Sequence, residues 1–494
     1  MDNVTAEVEA NRKLAQVMVD KIFSFGELGF FETETSKYLV SILKQNGFRV
    51  QEGMSGIPTA WHAEWGSGKP VIALGSDIDA LPQANQKPGV AFRSPIVEGA
   101  PGHGEGHNSG QPLNIVAAIA LKKVMERENI PGTIVLWPGV AEELGAAKAW
   151  FVRDGLFKNV DAVLFSHVDD HFDIAWGRAA GTGMVSVEFQ FTGETSHAAG
   201  TPWMGRSALD AVELMNIAWN YRREHLRPEQ RSHYVISDGG DQPNVVPNHA
   251  ASWYYIREMD YPNIKANFET AIRIAEAAAK MTDTSMKYRI LGASWPRYFN
   301  KPLAEVLHKH VEAVGNPQWS EADLQLARAV QRMLQTDTVG LSNSIDSIRP
   351  PLPKPESGGS DDIGDVAWVV PTAMLRYPAN IPNVTRHHWS SAIAMATPIA
   401  HKGVVAGAKV LARTTLELML DPSKISAAWS FFRDVQTKDV KYTPLITAND
   451  PPPLWLNRRT MDEYRPQMRR FYYDETKFDT YLQQLGIKYP TLQQ

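Results

Sequence analysis

Histidines and acids of the kind that hold divalent metal recur in this chain after apolar, strand-like runs. One cluster is Gly102-His103-Gly104-Glu105-Gly106-His107-Asn108. Its alternate glycines let the backbone curl so that Glu105 and His107 face one ion. A second is the adjacent pair Glu142-Glu143, after Thr133-Ile134-Val135-Leu136-Trp137. His167 follows Ala162-Val163-Leu164-Phe165, and His387 lies in Arg386-His387-His388-Trp389 after Thr372-Ala373-Met374-Leu375. Imidazoles and carboxylates together suit zinc, manganese or cobalt. Open α/β sheets bind ligands outside the carboxyl ends of their strands, so distant segments can converge on one site. The donor set predicts a two-metal hydrolytic centre.

Two adjacent acids are ordinarily a solvated helix start. A two-metal hydrolase instead needs one carboxylate on metal and its neighbour holding the attacking water. We assign Glu143 as ligand and Glu142 as general base and acid, the pair diverging at a sharp strand-to-helix turn. Spacing does not choose between His387 and His388. Asp77 and Asp79 end the run Val71 to Gly75, where both carboxylates can orient ligand imidazoles. His197, in Ser196-His197-Ala198-Ala199, reads by itself as a loop histidine. Asn244 and Arg257 flank a hairpin, and Arg257 is either a solvated sheet residue or a bidentate partner for a substrate carboxylate.

Positioning these groups requires a sheet. Val8, Leu14, Val17, Met18 and Ile22 have helical spacing over about 6–25, and a second helix is expected from Glu32 to Gln45. Strands at 70–75, 133–137 and 161–165 alternate with a helix begun by Pro112 and another near 144–153, which predicts a doubly wound α/β sheet. Near residue 184 the pattern changes. Val185, Val187, Phe189 and Phe191 alternate with polar residues as a half-exposed antiparallel strand would. A helix at 207–222, strands at 232–237 and 250–258, a helix at 263–280 and a strand at 285–291 complete a β-α-β-β-α-β unit. The reading is therefore a catalytic sheet domain (1–183 and 294–420) interrupted by a ferredoxin-like α+β lid (184–293). Lys354 to Ser360 is a loop by composition, a helix is expected over 392–420, and 421–494 is an aromatic, charged extension.

The chain has 494 residues, 43% of them hydrophobic and 21% charged, as expected of a globular enzyme. A net charge of -5 argues against nucleic acid or anionic membrane as partner. Cysteine is absent, which removes disulfides, thiolate ligands and a cysteine nucleophile. Met1 to Thr5 carries neither a basic start nor an apolar signal core, which predicts a cytoplasmic protein, or a periplasmic one whose leader has been removed.

Together, Ser76 to Pro82, the glycine-histidine loop, Glu142-Glu143, His167, Ser196 to Ala199, Asn244-Val245-Val246-Pro247 and His387 resemble the M20 metallopeptidases over about residues 10–420. The likeness is to their amidohydrolase branch, which includes aminoacylase-like, indole-acetyl-amino-acid and p-aminobenzoyl-glutamate hydrolases. The resemblance implies a catalytic domain, a lid used for dimerisation and two divalent ions per subunit. It implies Glu105, His107, Glu143, His167 and His387 as ligands and Glu142 as proton shuttle. It also implies that His197 stabilises the tetrahedral intermediate, acting in trans, and that Asn244 and Arg257 bind substrate. The branch commonly has cysteine where this chain has Glu105, a harder ligand that moves preference from zinc toward manganese. Asn108 stands where aspartate is frequent. The expected activity is hydrolysis of an N-acyl or N-aroyl amino acid or small peptide by metal-activated water, in a homodimer or larger homo-oligomer. Rival readings are hydrolytic deamination of an aromatic amine at the same site and a catalytically silent binding protein.

Overall fold

The computed structural model describes residues 1–145, 147–354 and 356–493. Ala146, Pro355 and Gln494, which fall in the expected 144–153 helix, the 354–360 loop and the 421–494 extension, lie outside the described residues.

Six strands make the central sheet: β1 (Arg49–Glu52), β2 (Trp61–Ser67), β3 (Val71–Asp77), β4 (Gly132–Gly139), β5 (Ala162–Asp169) and β12 (Thr372–Pro378). Their order is β1-β2-β4-β3-β5-β12. β3 pairs in parallel with β4 and β5, and β5 with β12, so four strands end along one edge. β4 and β5 are buried throughout, the signature of parallel strands covered on both faces. Helices Gly110–Glu128 and Pro398–Leu420 pack on this sheet. The expected 392–420 helix therefore starts later: Trp389–Ala394 forms a 3-10 turn, and the α-helix begins at Pro398 behind the Thr397 cap. Likewise the 6–25 helix divides at Asn11, and the helix expected from Pro112 starts at Gly110. The antiparallel β1–β2 edge has too few apolar residues to stand out in the sequence.

A second sheet comprises β7 (Gly183–Thr192), β8 (Arg231–Asp238), β9 (His249–Glu258) and β10 (Ser285–Ser294), in the antiparallel order β10-β7-β9-β8. Helices Ala208–Arg223 and Tyr261–Met281, capped by Ser207 and Asp260, complete the β-α-β-β-α-β unit. A two-residue pair, β6 (Gly177–Arg178) with β11 (Tyr298–Phe299), lies where the chain passes between the sheets. β7 corrects one expectation. It is interior rather than half-exposed, and its polar residues are used: Ser186 accepts a hydrogen bond from Trp253 Nε1 (2.8 Å), and Glu188 pairs with Arg289 (2.6 Å).

Residues after 421 pack on both units. Tyr473 and Tyr481 are buried, Arg465 pairs with Glu27 (2.9 Å), and Trp295 Nε1 donates to the Thr443 carbonyl (2.8 Å). Among the described residues no helix is long and apolar enough to cross a membrane.

The sheet edge is tied by a buried ion triad. Lys148 Nζ donates to Asp77 Oδ1 at the end of β3 (2.5 Å) and to Asp362, and its backbone N–H reaches the same Asp362 (3.1 Å). Burial opposes the ammonium charge, but Asp362 and Asp77 hold its pKa well above the ordinary lysine value. The triad thus locks β3, the segment after β4 and the segment before β12 together. Lys148→Met should lose about 3–5 kcal/mol of stability in urea unfolding followed by circular dichroism, because two carboxylates are left buried without a counter-charge. An unchanged midpoint would contradict this role.

Candidate metal centre

Glu142 and Glu143 are separated by backbone geometry. Ala141 adopts left-handed backbone (φ 54°), which costs a residue with a Cβ about 1–2 kcal/mol. Its N–H is anchored on the buried Glu32 carboxylate (2.9 Å), and a single 3-10 turn, Glu142–Leu144, follows. From this turn Glu143 reaches His107 (3.7 Å) and His387 (3.5 Å), while Glu142 also lies beside Asp361 and Asp362. His387 too is left-handed (φ 53°).

The remaining donors close on the same point. His387 Nε2 is 3.5 Å from Glu105 Oε2, and His167 Nε2 is 3.9 Å from Glu105 Oε1. The Nε2 atoms of His107 and His167 face each other at 3.4 Å. The other ring nitrogen fixes the tautomer of His167. His167 Nδ1 is 2.8 Å from the Val168 carbonyl, to which it donates, and His107 Nδ1 faces Asp79 Oδ1 at 3.5 Å. Both Nε2 atoms point into the same space, an arrangement a cation between them would relieve. Glu105 Oε2 and Glu143 Oε1 are buried without a hydrogen-bond partner among the described residues. Orphaned buried acceptors beside facing imidazole nitrogens fit divalent metal, which Glu105, His107, Glu143, His167 and His387 would hold.

Charge in this space is finely opposed. Burial, then the nearby Asp77, Asp361 and Glu143, hold Glu142 well above the usual carboxylate range. Burial, then Asp79 and Glu105, do the same for Glu143. Burial followed by Arg376 and His107 pushes His167 down, which favours the neutral, ligating imidazole.

Several expectations are refined. His167 lies within β5 rather than past its end, and the Glu105–His107 loop precedes helix Gly110–Glu128, well after β3. His388 bonds Ser390 (2.9 Å) and turns away, so geometry selects His387. Asp79 faces His107 and also accepts the Glu143 N–H (3.1 Å), whereas Asp77 gives Oδ1 to Lys148 and still has a carboxylate oxygen within 4.8 Å of ring nitrogens of His107 and His167. His103 is a core histidine on the Ile22 carbonyl (3.1 Å), pushed down to about 3 by burial and then by His107.

A cavity of about 390 Å³ opens on the centre, lined by Glu105, Glu142, Glu143, His167, His387 and, from the second sheet, Arg257. Arg257 Nη1 donates to Ser360 Oγ (2.8 Å). His197 and Asn244 do not line it. They sit in adjoining loops of the second unit, joined by a bond from the Ala198 N–H to the Asn244 carbonyl (3.0 Å), and His197 is exposed. Sequence reasoning missed Tyr255, Arg297, Ser360, Asp361, Arg376 and Arg386 in the lining. Only Ser360-Asp361-Asp362, closing a glycine-rich loop, offered a local signal.

Residues 73–417 match the model of Peptidase family M20/M25/M40. The chain belongs to this family. It is 31% identical over 471 residues to one of the subunits of p-aminobenzoyl-glutamate hydrolase of Escherichia coli (strain K12), covering 90% of this chain and 98% of that protein. It is 24% identical over 387 residues to the Xaa-Arg dipeptidase of Mus musculus, covering 76% and 78% of the two chains. A dinuclear metal-binding peptidase of family M20 from Bacillus subtilis shares the fold, with TM-score 0.51, 17% identity and coverage of 83% and 99%. The M20 chain is a hydrolase of amide C–N bonds that uses divalent metal, and its grouped histidines and carboxylates, His107 with Glu142 and Glu143 and with Asp77 and His167, fit such ions.

Because ions bind the folded cage and not the unfolded chain, chelation should lower the thermal midpoint. Adding back manganese or zinc should restore it, with a stabilisation that grows logarithmically above Kd. A midpoint indifferent to both treatments would contradict a metal cage.

Proposed function

We propose that this M20 amidohydrolase cleaves N-aroyl amino acids whose amino-acid part carries a free carboxylate, with p-aminobenzoyl-glutamate the first compound to test. The observation that carries the reading is the cage of five donors with Glu142 beside it and Arg257 across the cavity. When bound, divalent ions supply Lewis acidity that polarises the amide carbonyl and brings the pKa of a water toward ~7. The all-oxygen-and-nitrogen donor set, with Glu105 in place of a thiolate, favours manganese over zinc.

Glu142 lines the cavity without being needed for the cage. In this reading it takes the proton of the attacking water and delivers it to the leaving nitrogen. Its raised proton affinity suits both halves of that transfer. Arg257 has a buried Nε with no partner among the described residues, and its bond to Ser360 aims the guanidinium at the cavity. This favours capture of the substrate α-carboxylate there, while Asn244, which does not line this cavity, would reach substrate from a second copy alongside His197.

His197 accepts N–H groups of Ala199 (3.2 Å) and Gly200 (3.1 Å) at Nδ1, which leaves its proton on Nε2, pointing outward as a donor. A donor aimed away from its own cavity suits a developing oxyanion in a second copy. β8 is an edge strand with Val235 and Ile236 exposed, and Ile217 and Tyr221 are exposed on the adjoining helix. We assign this face, within a lid of residues 184–293, to a two-fold homodimer.

Glu142→Gln should abolish hydrolysis of p-aminobenzoyl-glutamate while metal content stays near wild type; Glu143→Gln and His107→Ala should lower the content itself. Loss of metal from the Glu142 variant equal to the other two would reverse the assignment within the pair. Subunits carrying His197→Ala or Glu142→Ala should each be inactive as homodimers. Verified mixed dimers should regain a fraction of activity, and mixed dimers that stay silent would place His197 outside the reaction in trans.

A further inference from the structure

Beside the metal cavity lies a second, of about 410 Å³, and the two share Arg297, Arg376 and Arg386 in their walls. The second cavity adds Arg349, so four guanidinium groups line it against the carboxylates of Asp169 and Asp173. Those two acids are already engaged. Asp169 pairs with Arg376 (3.0 Å) and Arg386 (3.1 Å), and Asp173 with Arg349 through Nε (2.7 Å). Asp361 pairs with Arg297 (3.4 Å), so four guanidinium groups face three carboxylates, and one positive charge is left over next to the reacting centre.

Arg297 has donors to spare. A guanidinium has five N–H donors. Among the described residues, the hydrogen bonds of Arg297 are a long one to Asp361 (3.4 Å) and one to the Ala180 carbonyl (2.6 Å). Its side chain is 18% exposed, and that exposure is toward the cavities it lines. Burial, then Arg376, pulls its pKa down, so an anion placed against it would be welcome. Unlike Arg376, whose Nη1 lies 3.4 Å from His167 Nδ1, Arg297 touches no residue of the cage.

We propose that Arg297, with Arg386 beside it, is the specificity-determining residue that reads a second carboxylate, so that the leaving amino acid is acidic. The inference rests on the amidohydrolase reading above and deepens it. The α-carboxylate sits at Arg257 and Ser360 in the first cavity, and the side-chain carboxylate crosses to the arginine wall shared with the second. The same wall repels a basic side chain. Of the two activities that the relatives' names describe, it therefore favours release of glutamate over release of arginine.

The test uses the metal-loaded full chain and three amides: N-benzoyl-glutamate, its uncharged isostere N-benzoyl-glutamine, and N-benzoyl-arginine. Wild type should prefer glutamate to glutamine by about 10- to 100-fold in kcat/KM, the range a charge-assisted hydrogen bond supports, with arginine poorest. Arg297→Gln should bring the glutamate compound down to the level of glutamine and leave glutamine cleavage within about twofold, while Arg297→Lys recovers part of the preference. Equal losses on both substrates in Arg297→Gln overturn the assignment, as does a wild type that does not discriminate. The wild-type comparison stands even where a variant fails to fold. Hydrolysis of none of the three would instead overturn the amidohydrolase reading on which this one rests.

Discussion

Carboxylates crowded into a water-poor space are the constraint on which this molecule turns. Glu105, Glu143 and Asp79 each lie within 4 Å of at least one of three imidazoles, and Glu142 lies within 4.8 Å of His107 and Glu143. At an effective dielectric near 20, two unit charges 4 Å apart interact by about 4 kcal/mol, so several like charges together are expensive unless cations join them. The fold meets that cost with connected devices. Parallel strands deliver β3, β4, β5 and β12 to one edge, and the Lys148 triad ties the end of β3 to the segment after β4 and the segment before β12. Left-handed backbone at Ala141 precedes the Glu142–Glu143 turn, and left-handed backbone at His387 sets that exposed side chain 3.5 Å from Glu105 and Glu143. Metal is the missing positive charge in this arrangement.

The second unit bears on the centre through few contacts. Arg257 reaches Ser360, and the chain re-enters the larger unit at Trp295, which stacks on Tyr261 (4.8 Å) and packs against Trp368 (5.2 Å) and Tyr442 (5.1 Å). Tyr442 belongs to the C-terminal segment, and its hydroxyl donates to Asp365 (2.7 Å), which also accepts the Trp295 N–H (2.9 Å). Farther along, Trp455 stacks under Arg289 of β10 (4.1 Å). The segment after residue 421 thereby joins both units at the crossover instead of hanging from one of them.

Sequence legibility followed the range of the interactions. The strand runs at 133–137 and 161–165 and the β-α-β-β-α-β order were readable because burial writes apolar runs and helical spacing locally. Candidate donors were readable because each is of a ligating type beside a strand or glycine loop. What stayed hidden was set by partners distant in sequence. Nothing near Asp77 announces Lys148, and β7 looks half-exposed until Trp253 and Arg289 are seen to cover its polar face. The arginine wall is assembled from residues 297, 349, 376 and 386, each ordinary where it stands. The choice of His387 over His388 needed backbone torsion, which spacing does not encode.

The central claim is that the orphaned oxygens and facing imidazoles form a two-ion cage. Anomalous diffraction from crystals grown with manganese tests it most directly. The account predicts two strong peaks per chain, a few ångströms apart, both within reach of Glu105, His107, Glu143, His167 and His387. A single peak, or peaks at the outlying Asp169, Asp170 and His171 cluster with none in the cage, would contradict it.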